Sequence, residues 1–252
     1  MDLIASGPTV PDTSTWIDAW TIVQRYKLET KLPDRVLELL KQGRDGKLPD
    51  SPSSEHPTFK DSKTVLVGNN ALAVQAAAKQ AEHLGYHPII LGDQIEGEAK
   101  EVANVYAAMA MYAQQSHVSS YALAPNLPVA LIAGGETTVS LTPDSGKGGR
   151  NQELALSAAL KLNALGLENV VLASVGTDGT DGPTDAAGAV VDAGTVRASI
   201  SQAQDALSNH NAYSYFEQLG KATKESLPPL IKTGPTGTNV ADICVTLVGP
   251  VR

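Results

Sequence analysis

From residue 64 onward, short aliphatic runs alternate with longer alanine-rich segments, and this alternation constrains the fold more than any other feature. The aliphatic runs are of strand length and cover residues 64–68, 87–92, 128–133, 169–175 and 243–248. The segments at 70–84, 98–115 and 154–165 have the length and composition of helices. Strands that alternate with helices of this size are typical of an α/β protein, in which helices cover a largely buried sheet.

The amino-acid composition favours the same fold class. Phe59 and Phe216 are the only phenylalanines among 252 residues, so aliphatic side chains and alanine must fill most of the core, as in helix-covered parallel sheets. The net charge of −8 disfavours nucleic acid as a partner, because a phosphate backbone would be repelled. Cys244 is the only cysteine, which excludes an intrachain disulfide and a thiolate zinc cluster and indicates a reducing compartment.

The first 62 residues form a separate stretch of helices and loop. Helices are predicted at 15–26, with caps among residues 12–14, and from Pro33 to about residue 42. Residues 43–62 are rich in Pro, Ser, Asp and Lys and lack apolar periodicity, which predicts a linker. Residues 1–9 run into a Ser-Gly-Pro-Thr turn without an element of their own, so we expect a chain that begins inside a domain. Neither a signal peptide nor a membrane-spanning run is recognisable, and we expect a cytoplasmic protein without a membrane partner.

The middle of the chain predicts two strand pairs. Residues 64–92 predict a strand, a helix and a second strand, which together form a right-handed βαβ unit. The turn at residues 68–70 lacks the Gly-x-Gly-x-x-Gly spacing of dinucleotide sites, so binding of NAD or FAD is not supported. A strand at 128–133, a turn at 134–136 and a strand at 137–141 predict an antiparallel hairpin, and further helices are predicted at 195–204 and 213–218.

A glycine-rich loop at residues 146–150 leads into the helix predicted at 154–165. A helix N-terminus exposes unpaired N–H groups and a partial positive charge, and Lys147 and Arg150 lie beside Gly148 and Gly149 at this point. Arg150 can bind a carboxylate or phosphate through two N–H groups, which Lys147 cannot, while Glu153 complements the helix dipole. The loop is therefore a candidate anion site, and a flexible connection with solvated charges is the alternative.

Two further loops carry polar side chains that point to chemistry. Asp178, Asp181 and Asp185 follow the strand at 169–175, and such carboxylates suit a Mg²⁺ ion or the acceptance of a proton from a hydroxyl. They also suit plain turns and helix caps. The loop at 233–239 offers backbone N–H groups and hydroxyls to phosphate or sugar oxygens, but it is equally consistent with a plain connection. The histidines are scattered without metal-ligand spacing, which disfavours a histidine-based site.

Together these loops resemble the signatures of the MOFRL domain of glycerate 2-kinases. The matching segments are Gly148-Gly149-Arg150-Asn151-Gln152-Glu153, Gly176-Thr177-Asp178-Gly179, Asp181-Gly182-Pro183-Thr184-Asp185-Ala186-Ala187-Gly188 and Thr233-Gly234-Pro235-Thr236-Gly237-Thr238-Asn239. Residues 4–12 resemble the end of that family's N-terminal Rossmann-like domain. The resemblance implies the C-terminal part of a Rossmann-like glycerate kinase domain at 1–120, including the linker 43–62, and a MOFRL-type α/β domain with a mixed sheet at 121–252.

The resemblance further implies a small-molecule substrate and a nucleotide as partners: the γ-phosphoryl group of ATP passes to D-glycerate, giving 2-phosphoglycerate, with Mg²⁺ required. Arg150 and Asp178 are then the expected catalytic residues, and Asp181 and Asp185 the expected metal ligands. The expected substrate- or phosphate-binding residues are Glu136, Lys147, Gly148, Gly149, Asn151, Thr236, Thr238 and Asn239.

The sequence departs from the family's pattern in one respect. Family members carry a further N-terminal region with a Gly-Gly-Gly-Ser loop and a lysine implicated in catalysis, and neither feature is found here. We therefore expect the chain by itself to be inactive and to require an N-terminal domain or a homo-oligomer. Two alternatives stay open: a hydroxypyruvate reductase, a label that similar sequences carry but that needs a nicotinamide site, and a non-catalytic fragment that binds a small anion.

Overall fold

The computed structural model describes residues 10–63, 65–115, 128–222 and 228–250. The chain divides into two compact units, Met1–Val67 and Gly68–Arg252. The sequence predicted a boundary after residue 120 instead, and that family-domain boundary stays a prediction. In the structure, the segment from 68 to 115 belongs to the same compact unit as the later strands.

The first unit contains two amphipathic helices, α1 (Trp16–Arg25) and α2 (Asp34–Arg44), and a short 3-10 turn at Pro57–Phe59. Both helices were predicted. The cap of α1 is Thr15 rather than a residue among 12–14, because its side chain accepts a hydrogen bond from the Asp18 N–H while the Asp18 carboxylate accepts one from the Thr15 N–H. Between α2 and the 3-10 turn the chain is irregular, as the linker prediction required.

The strand predicted at 64–68 is wrong over its described residues. Residues 65–68 lie outside any strand, and the side chains of Val65, Leu66 and Val67 are exposed, Val67 to 92%. A β-strand exists only where a neighbouring strand completes its hydrogen-bond ladder, and within the described part of the chain no strand pairs with this segment. Thr64 lies outside the described residues.

The second unit is an α/β domain built on one mixed sheet. In chain order its elements are α3 (Asn70–His83), β1 (His87–Ile95), α4 (Ala99–Gln115), β2 (Val129–Gly135), α5 (Arg150–Leu165), β3 (Val170–Gly176), β4 (Gly188–Asp192), α6 (Ile200–Ser208), α7 (Ala212–Ala222), β5 (Leu230–Ile231) and β6 (Asp242–Val248). The described strands lie in the order β1-β2-β6-β3-β4-β5. Only β1 and β2 pair in parallel, and the other neighbours are antiparallel. The expected α/β class with a mixed sheet is thus confirmed.

The βαβ unit consists of later elements of the chain than the sequence predicted at 64–92. It consists of β1, α4 and β2, since β1 and β2 are the parallel pair. The strand predicted at 128–133 is confirmed as β2. The antiparallel hairpin with residues 137–141 is wrong, because β2 lies between β1 and β6, and Thr138 makes only an isolated bridge to Glu98. A central strand already has two neighbours, so the segment after Gly135 cannot fold back beside it.

The remaining differences concern element boundaries and short strands. Helix α5 begins at Arg150 rather than at 154, and α6 covers Ile200–Ser208 rather than 195–204. Strands β4 and β5 were not predicted, because a Gly-Ala-Val-Val run and a two-residue strand carry little local signal. The predicted helices at 70–84, 98–115 and 213–218 and the predicted strands at 87–92, 169–175 and 243–248 are confirmed, each with its ends shifted by a few residues.

Strand β2 is covered by helices on both faces. Ala130 and Ile132 pack against one side of α3, whereas Leu131 lies on the other face in a cluster with residues of α4 and α5. This explains why β2 is aliphatic along its length instead of alternating with polar residues. Helix α5 is also largely buried, which fixes its N-terminus firmly in the domain. Among the described residues, we find no helix with the length and apolarity that spanning a bilayer requires.

The central position of β2 predicts a large difference between two leucine truncations. Leu131 is 1% exposed on β2, and Leu72 is 51% exposed on α3. We expect Leu131→Ala to lower the free energy of unfolding by about 2–5 kcal/mol, because it leaves a cavity between the sheet and its helices. The matched variant Leu72→Ala should change it by less than about 1 kcal/mol. Urea titrations followed by circular dichroism measure both, and equal losses would contradict the central placement of β2.

Candidate functional site

The first turn of α5 is capped by a carboxylate from a distant loop. Gly149 precedes the helix and has no side chain with which to cap it. The Asp181 carboxylate takes that place: its Oδ1 accepts from the Asn151 N–H at 3.0 Å, and its Oδ2 accepts from the Gln152 N–H at 2.9 Å. The side-chain amides of the same two residues donate to the same two oxygens. Four donors therefore converge on Asp181, which ties the loop after β3 to the start of α5.

The surroundings of Asp181 explain how its carboxylate can be buried in the interior. Asp181 is 1% exposed, and burial raises the pKa of its carboxyl group while the hydrogen bonds from Asn151 and Gln152 oppose that rise. Asn151 is held in turn by Ser174, whose hydroxyl donates to its Oδ1 at 2.6 Å. Helix capping alone explains a carboxylate at this position. Within the described residues no three histidine, cysteine or acidic side chains are grouped so that they could hold a metal ion.

Arg150, the first residue of α5, forms a two-pronged ion pair with Asp242 at the start of β6. Its Nε donates to Asp242 Oδ2 at 2.5 Å and its Nη2 donates to Asp242 Oδ1 at 2.8 Å. The third nitrogen, Nη1, lies 3.4 Å from the Glu136 carboxylate, whose side chain is 61% exposed. The hydrogen bonds to Asp242 raise the pKa of Arg150, so its guanidinium stays charged. Sequence reasoning missed Asp242, because 92 residues separate it from Arg150 and no local pattern links them.

The second loop, which follows β3, and the third loop, at residues 233–239, are held together by hydrogen bonds. The Thr236 hydroxyl donates to the Thr177 carbonyl at 2.6 Å, and the Thr236 N–H donates to the Asp178 carbonyl at 3.1 Å. The Asn239 amide donates to the Asp178 carboxylate at 3.4 Å, and the Thr238 N–H donates to the Thr236 hydroxyl at the same distance. The predicted residues Asp178, Thr236, Thr238 and Asn239 are therefore neighbours in the structure.

Asp178 also lies close to the arginine ion pair. A Cβ on Gly176 would stand 3.2 Å from Asp178 Oδ1 and 3.5 Å from Asp242 Oδ1, so the two carboxylates approach the same point of the backbone. The first and second loops meet at Gly182, which has a φ of +60° and whose Cβ would stand 2.2 Å from the Gly148 carbonyl oxygen. Only glycine fits there, which explains why these loops are rich in it.

Asp185 and Lys147 lie in a second group of side chains around Tyr213. Lys232 Nζ and the Tyr213 hydroxyl donate to the Asp185 carboxylate at 2.8 and 2.7 Å, and the bond from Lys232 lowers the pKa of Asp185. Lys147 Nζ lies 4.1 Å from the centre of the Tyr213 ring. The structure thus places these two predicted residues together, with two neighbours, Tyr213 and Lys232, that sequence reasoning missed.

A cavity of about 700 Å³ opens beside the glycine-rich loop. Glu136, Gly148, Gly149 and Arg150, all predicted from the sequence, are among the residues that line it. A cavity of this size is typical of sites for small-molecule ligands. The charged arginine and the glycine backbone at its wall make it suited to an anionic molecule. The first N–H groups of α5 do not contribute, because Asp181 already accepts from them.

The same cavity is lined by a pair of residues that sequence reasoning did not connect. His210 Nδ1 lies 2.9 Å from Glu153 Oε2, and Glu153 is 2% exposed. Burial raises the pKa of Glu153, while the hydrogen bond with His210 opposes that rise. Glu153 was expected only to complement the helix dipole, and the structure gives it this specific partner. His210 has a φ of 51°, a left-handed conformation that costs a residue with a side chain roughly 1–2 kcal/mol.

Comparison with known proteins agrees with this geometry. Residues 129–242 match the MOFRL family, and residues 1–41 match a domain of unknown function, DUF4147. Over its whole length the chain is 35% identical to the glycerate 2-kinase of Pyrococcus horikoshii. The crystal structure of the glycerate kinase from Thermotoga maritima superposes with a TM-score of 0.73 at 34% identity and covers 98% of this chain. Residues 129–242 thus belong to the MOFRL family, and the chain as a whole is similar to glycerate 2-kinases.

These relatives are all longer than this chain, and they do not all carry the same name. The chain spans about half the length of the curated relatives it matches: 54% of the Pyrococcus protein and 53% of the Thermotoga crystal structure. A protein of Agrobacterium vitis that is named a putative hydroxypyruvate reductase is 39% identical over 98% of this chain and 58% of its own length. Every predicted site residue lies within the MOFRL match, so the three loops that carry the resemblance are part of the family's own domain.

The capping role of Asp181 predicts a large effect on stability. We expect Asp181→Asn to lower the free energy of unfolding by about 2–4 kcal/mol, because the amide turns donors toward buried N–H groups that need an acceptor. Asp144→Asn, at an exposed turn, is the matched control and should change it by less than about 0.5 kcal/mol. Urea unfolding of both variants measures the difference. An Asp181→Asn protein as stable as the control would show that the cap is not needed.

Proposed function

We propose that the protein phosphorylates D-glycerate with ATP and releases 2-phosphoglycerate. The observation that carries this proposal is Arg150 at the glycine-preceded start of α5, where it faces a cavity of about 700 Å³ in a chain whose relatives are named glycerate kinases. The activity is proposed for the protein together with the region of its relatives that this chain does not match. The cytoplasmic location stays a prediction.

The chemistry of phosphoryl transfer agrees with these residues. The reaction depends mainly on positioning the two substrates and on neutralising negative charge, rather than on covalent chemistry by the protein. Asp242 holds two of the three nitrogens of Arg150 and so fixes the guanidinium plane. Nη1, which lies 3.4 Å from the exposed Glu136 carboxylate, is the nitrogen left to bind a ligand, either the substrate carboxylate or a phosphate oxygen. The backbone of Gly148 and Gly149 lines the same cavity and allows an anion to approach closely.

Mg²⁺, when bound, would neutralise negative charge on the phosphates. A Mg²⁺ ion usually binds one or two protein carboxylates, with phosphates and water as its other ligands. A site that offers only two carboxylates therefore suits it. We assign it to Asp178 and Glu136, because Glu136 is exposed in the cavity and Asp178 is partly exposed near the arginine ion pair. The sequence favoured Asp181 and Asp185, but their oxygens already have partners on α5 and on Lys232 and Tyr213.

The alternative activity, that of a hydroxypyruvate reductase, is not favoured. It needs a nicotinamide site, and residues 68–70, which lead into α3, lack the glycine spacing of a dinucleotide site. The names of some relatives nevertheless make it the second activity to measure. A third outcome, anion binding without turnover, corresponds to a non-catalytic module.

The experiment measures both activities on the purified chain. Formation of ADP from Mg-ATP and D-glycerate is followed for the chain alone and after addition of the N-terminal half of the Thermotoga relative, and oxidation of NADH with hydroxypyruvate is followed in parallel. We expect little kinase turnover by the chain alone, clear turnover after mixing, and no oxidation of NADH. Oxidation of NADH without kinase turnover in either arrangement would overturn the proposal.

A first variant tests the arginine. Arg150→Lys keeps the charge but loses both the two-pronged contact with Asp242 and the directed N–H groups of Nη1. We expect a fall in kinase turnover of roughly 10²-fold or more, about 2.7 kcal/mol of transition-state stabilisation. Arg197→Lys is the matched control, since Arg197 makes an exposed ion pair with Glu168 away from the cavity, and it should leave turnover unchanged. Initial rates at saturating ATP and glycerate measure the effect. Unchanged kinetics of Arg150→Lys would remove Arg150 from the site.

A second variant tests the aspartate that we assign to Mg²⁺. Asp178→Asn keeps the shape of the side chain and removes its charge, so we expect lower turnover and a several-fold higher Mg²⁺ concentration for half-maximal rate, on the order of 10-fold. Asp144→Asn serves again as the control. If Asp178→Asn keeps both normal turnover and a normal dependence on Mg²⁺, Asp178 is only a turn residue.

A further inference from the structure

Glu153 and His210 line the cavity that contains Arg150, yet the function proposed above gives neither of them a role. The two side chains are joined by a 2.9 Å contact between His210 Nδ1 and Glu153 Oε2, and they are 10% and 3% exposed. The pair is thus nearly buried, but it lies at the wall of the cavity. A histidine beside a buried carboxylate in a ligand-sized cavity is an arrangement that supports proton transfer.

The Glu153 carboxylate has an unusual environment for a structural residue. Its second oxygen, Oε1, is buried and has no hydrogen-bond partner among the described residues. A buried acceptor without a donor is costly, so each such group calls for an explanation, and a catalytic role is one. Holding the His210 imidazole is therefore the one specific contact that accounts for this side chain in the described structure.

His210 is held against the loop that we assign to anion binding. The segment around it is fastened to that loop by hydrogen bonds from the Gly146 N–H to the Asn209 carbonyl at 2.8 Å and from the Tyr213 N–H to the Lys147 carbonyl at 3.0 Å. The His210 carbonyl itself lies 3.4 Å from the position of a Cβ on Gly148. The left-handed backbone of His210 is thus imposed by its surroundings, which place the imidazole beside the glycine-rich loop.

The contact with Glu153 also decides which ring nitrogen carries the proton. A carboxylate accepts hydrogen bonds, so the neutral imidazole donates from Nδ1–H and keeps the lone pair of Nε2 available. The aspartates nearby are engaged elsewhere: Asp242 binds Arg150, Asp181 caps α5, and Asp185 binds Lys232.

We propose that His210, oriented by Glu153, accepts the proton of the substrate hydroxyl that is phosphorylated. This inference rests on the proposed function. The hydroxyl oxygen forms a bond to the γ-phosphorus of the nucleoside triphosphate while the bond from that phosphorus to the β,γ-bridging oxygen breaks, and the diphosphate leaves with the electron pair. The hydroxyl proton passes to Nε2 of His210, and the Glu153 carboxylate stabilises the imidazolium that results. His210 is thus a catalytic residue, and Glu153 is a positioning residue.

The first test replaces the imidazole without disturbing the backbone. Glycine adopts a φ of 51° without strain, so His210→Gly removes the proton acceptor and leaves a space of the same shape. In the arrangement that gives wild-type turnover, we expect kcat to fall roughly 10²–10⁴-fold, with KM for glycerate changed less than about 3-fold. Added imidazole should then restore kcat by roughly 10-fold or more. Lys27→Gly is the matched control, because Lys27 has a φ of 52° and is exposed on the other unit, and it should keep wild-type kinetics.

A second variant tests the positioning role. Glu153→Gln keeps the size of the side chain but can donate to Nδ1 and so favour the wrong tautomer of His210. We expect kcat to fall roughly 10–10²-fold while KM for glycerate stays within about 3-fold, whereas a merely structural role would lower stability and leave the kcat of the folded fraction unchanged.

The outcomes separate the inference from the proposed function. If the wild type phosphorylates glycerate and His210→Gly keeps kcat within about 3-fold, the inference is overturned and the proposed function stands. If the wild type shows no turnover in any arrangement, the proposed function fails. Calorimetry then compares the binding of D-glycerate with that of propionate, which lacks both hydroxyls, and so tests whether the site recognises a hydroxyl. Preference for glycerate that is lost in His210→Gly supports hydroxyl recognition by His210, and an equal preference in both proteins overturns it.

Discussion

The capping of α5 by Asp181 is the interaction on which the rest of the site depends. The helix begins in the interior of the domain, where water cannot satisfy its first N–H groups, and a buried helix end without partners would be strongly destabilised. Asp181 supplies two oxygens to those groups from the loop after β3, and the side-chain amides of Asn151 and Gln152 complete its coordination. One carboxylate therefore fixes both the direction of α5 and the path of the second loop.

Because the start of α5 is fixed, the position of Arg150 is fixed as well. Its guanidinium meets Asp242 on the neighbouring strand β6, and this ion pair links the helix to the centre of the sheet. Asp178 approaches the same point from the second loop, and Thr236 and Asn239 join it from the third. Two carboxylates, Asp242 and Glu136, already lie against the one guanidinium of Arg150, and Asp181 occupies the first N–H groups of α5. An incoming anion must therefore draw on the hydrogens of Nη1.

The cavity combines two kinds of polar wall. One is formed by Arg150, Glu136 and the glycine backbone, and the other by the Glu153–His210 pair. Glu153 belongs to the same helical turn as the capped residues, so the helix that presents Arg150 to the cavity also presents the carboxylate that contacts the histidine. The segment around His210 is fastened to the loop before α5, which brings both walls to one cavity.

Local sequence determined the elements and the three loops. Periodicity and composition were sufficient to predict the α/β class, most helices and the strands at 87–92, 169–175 and 243–248, because these signals reside in adjacent residues. The glycine, aspartate and arginine side chains of the loops were likewise visible as candidates. Tertiary structure alone decided the strand order, with the last strand β6 between β2 and β3, and it left residues 65–67 without a strand although they are as apolar as β2. It also decided which carboxylate caps a helix, which pairs with Arg150 and which orients His210. The reason is the same in each case: ladder partners, ion pairs and burial join residues far apart in the chain, and no local pattern encodes which distant group will arrive.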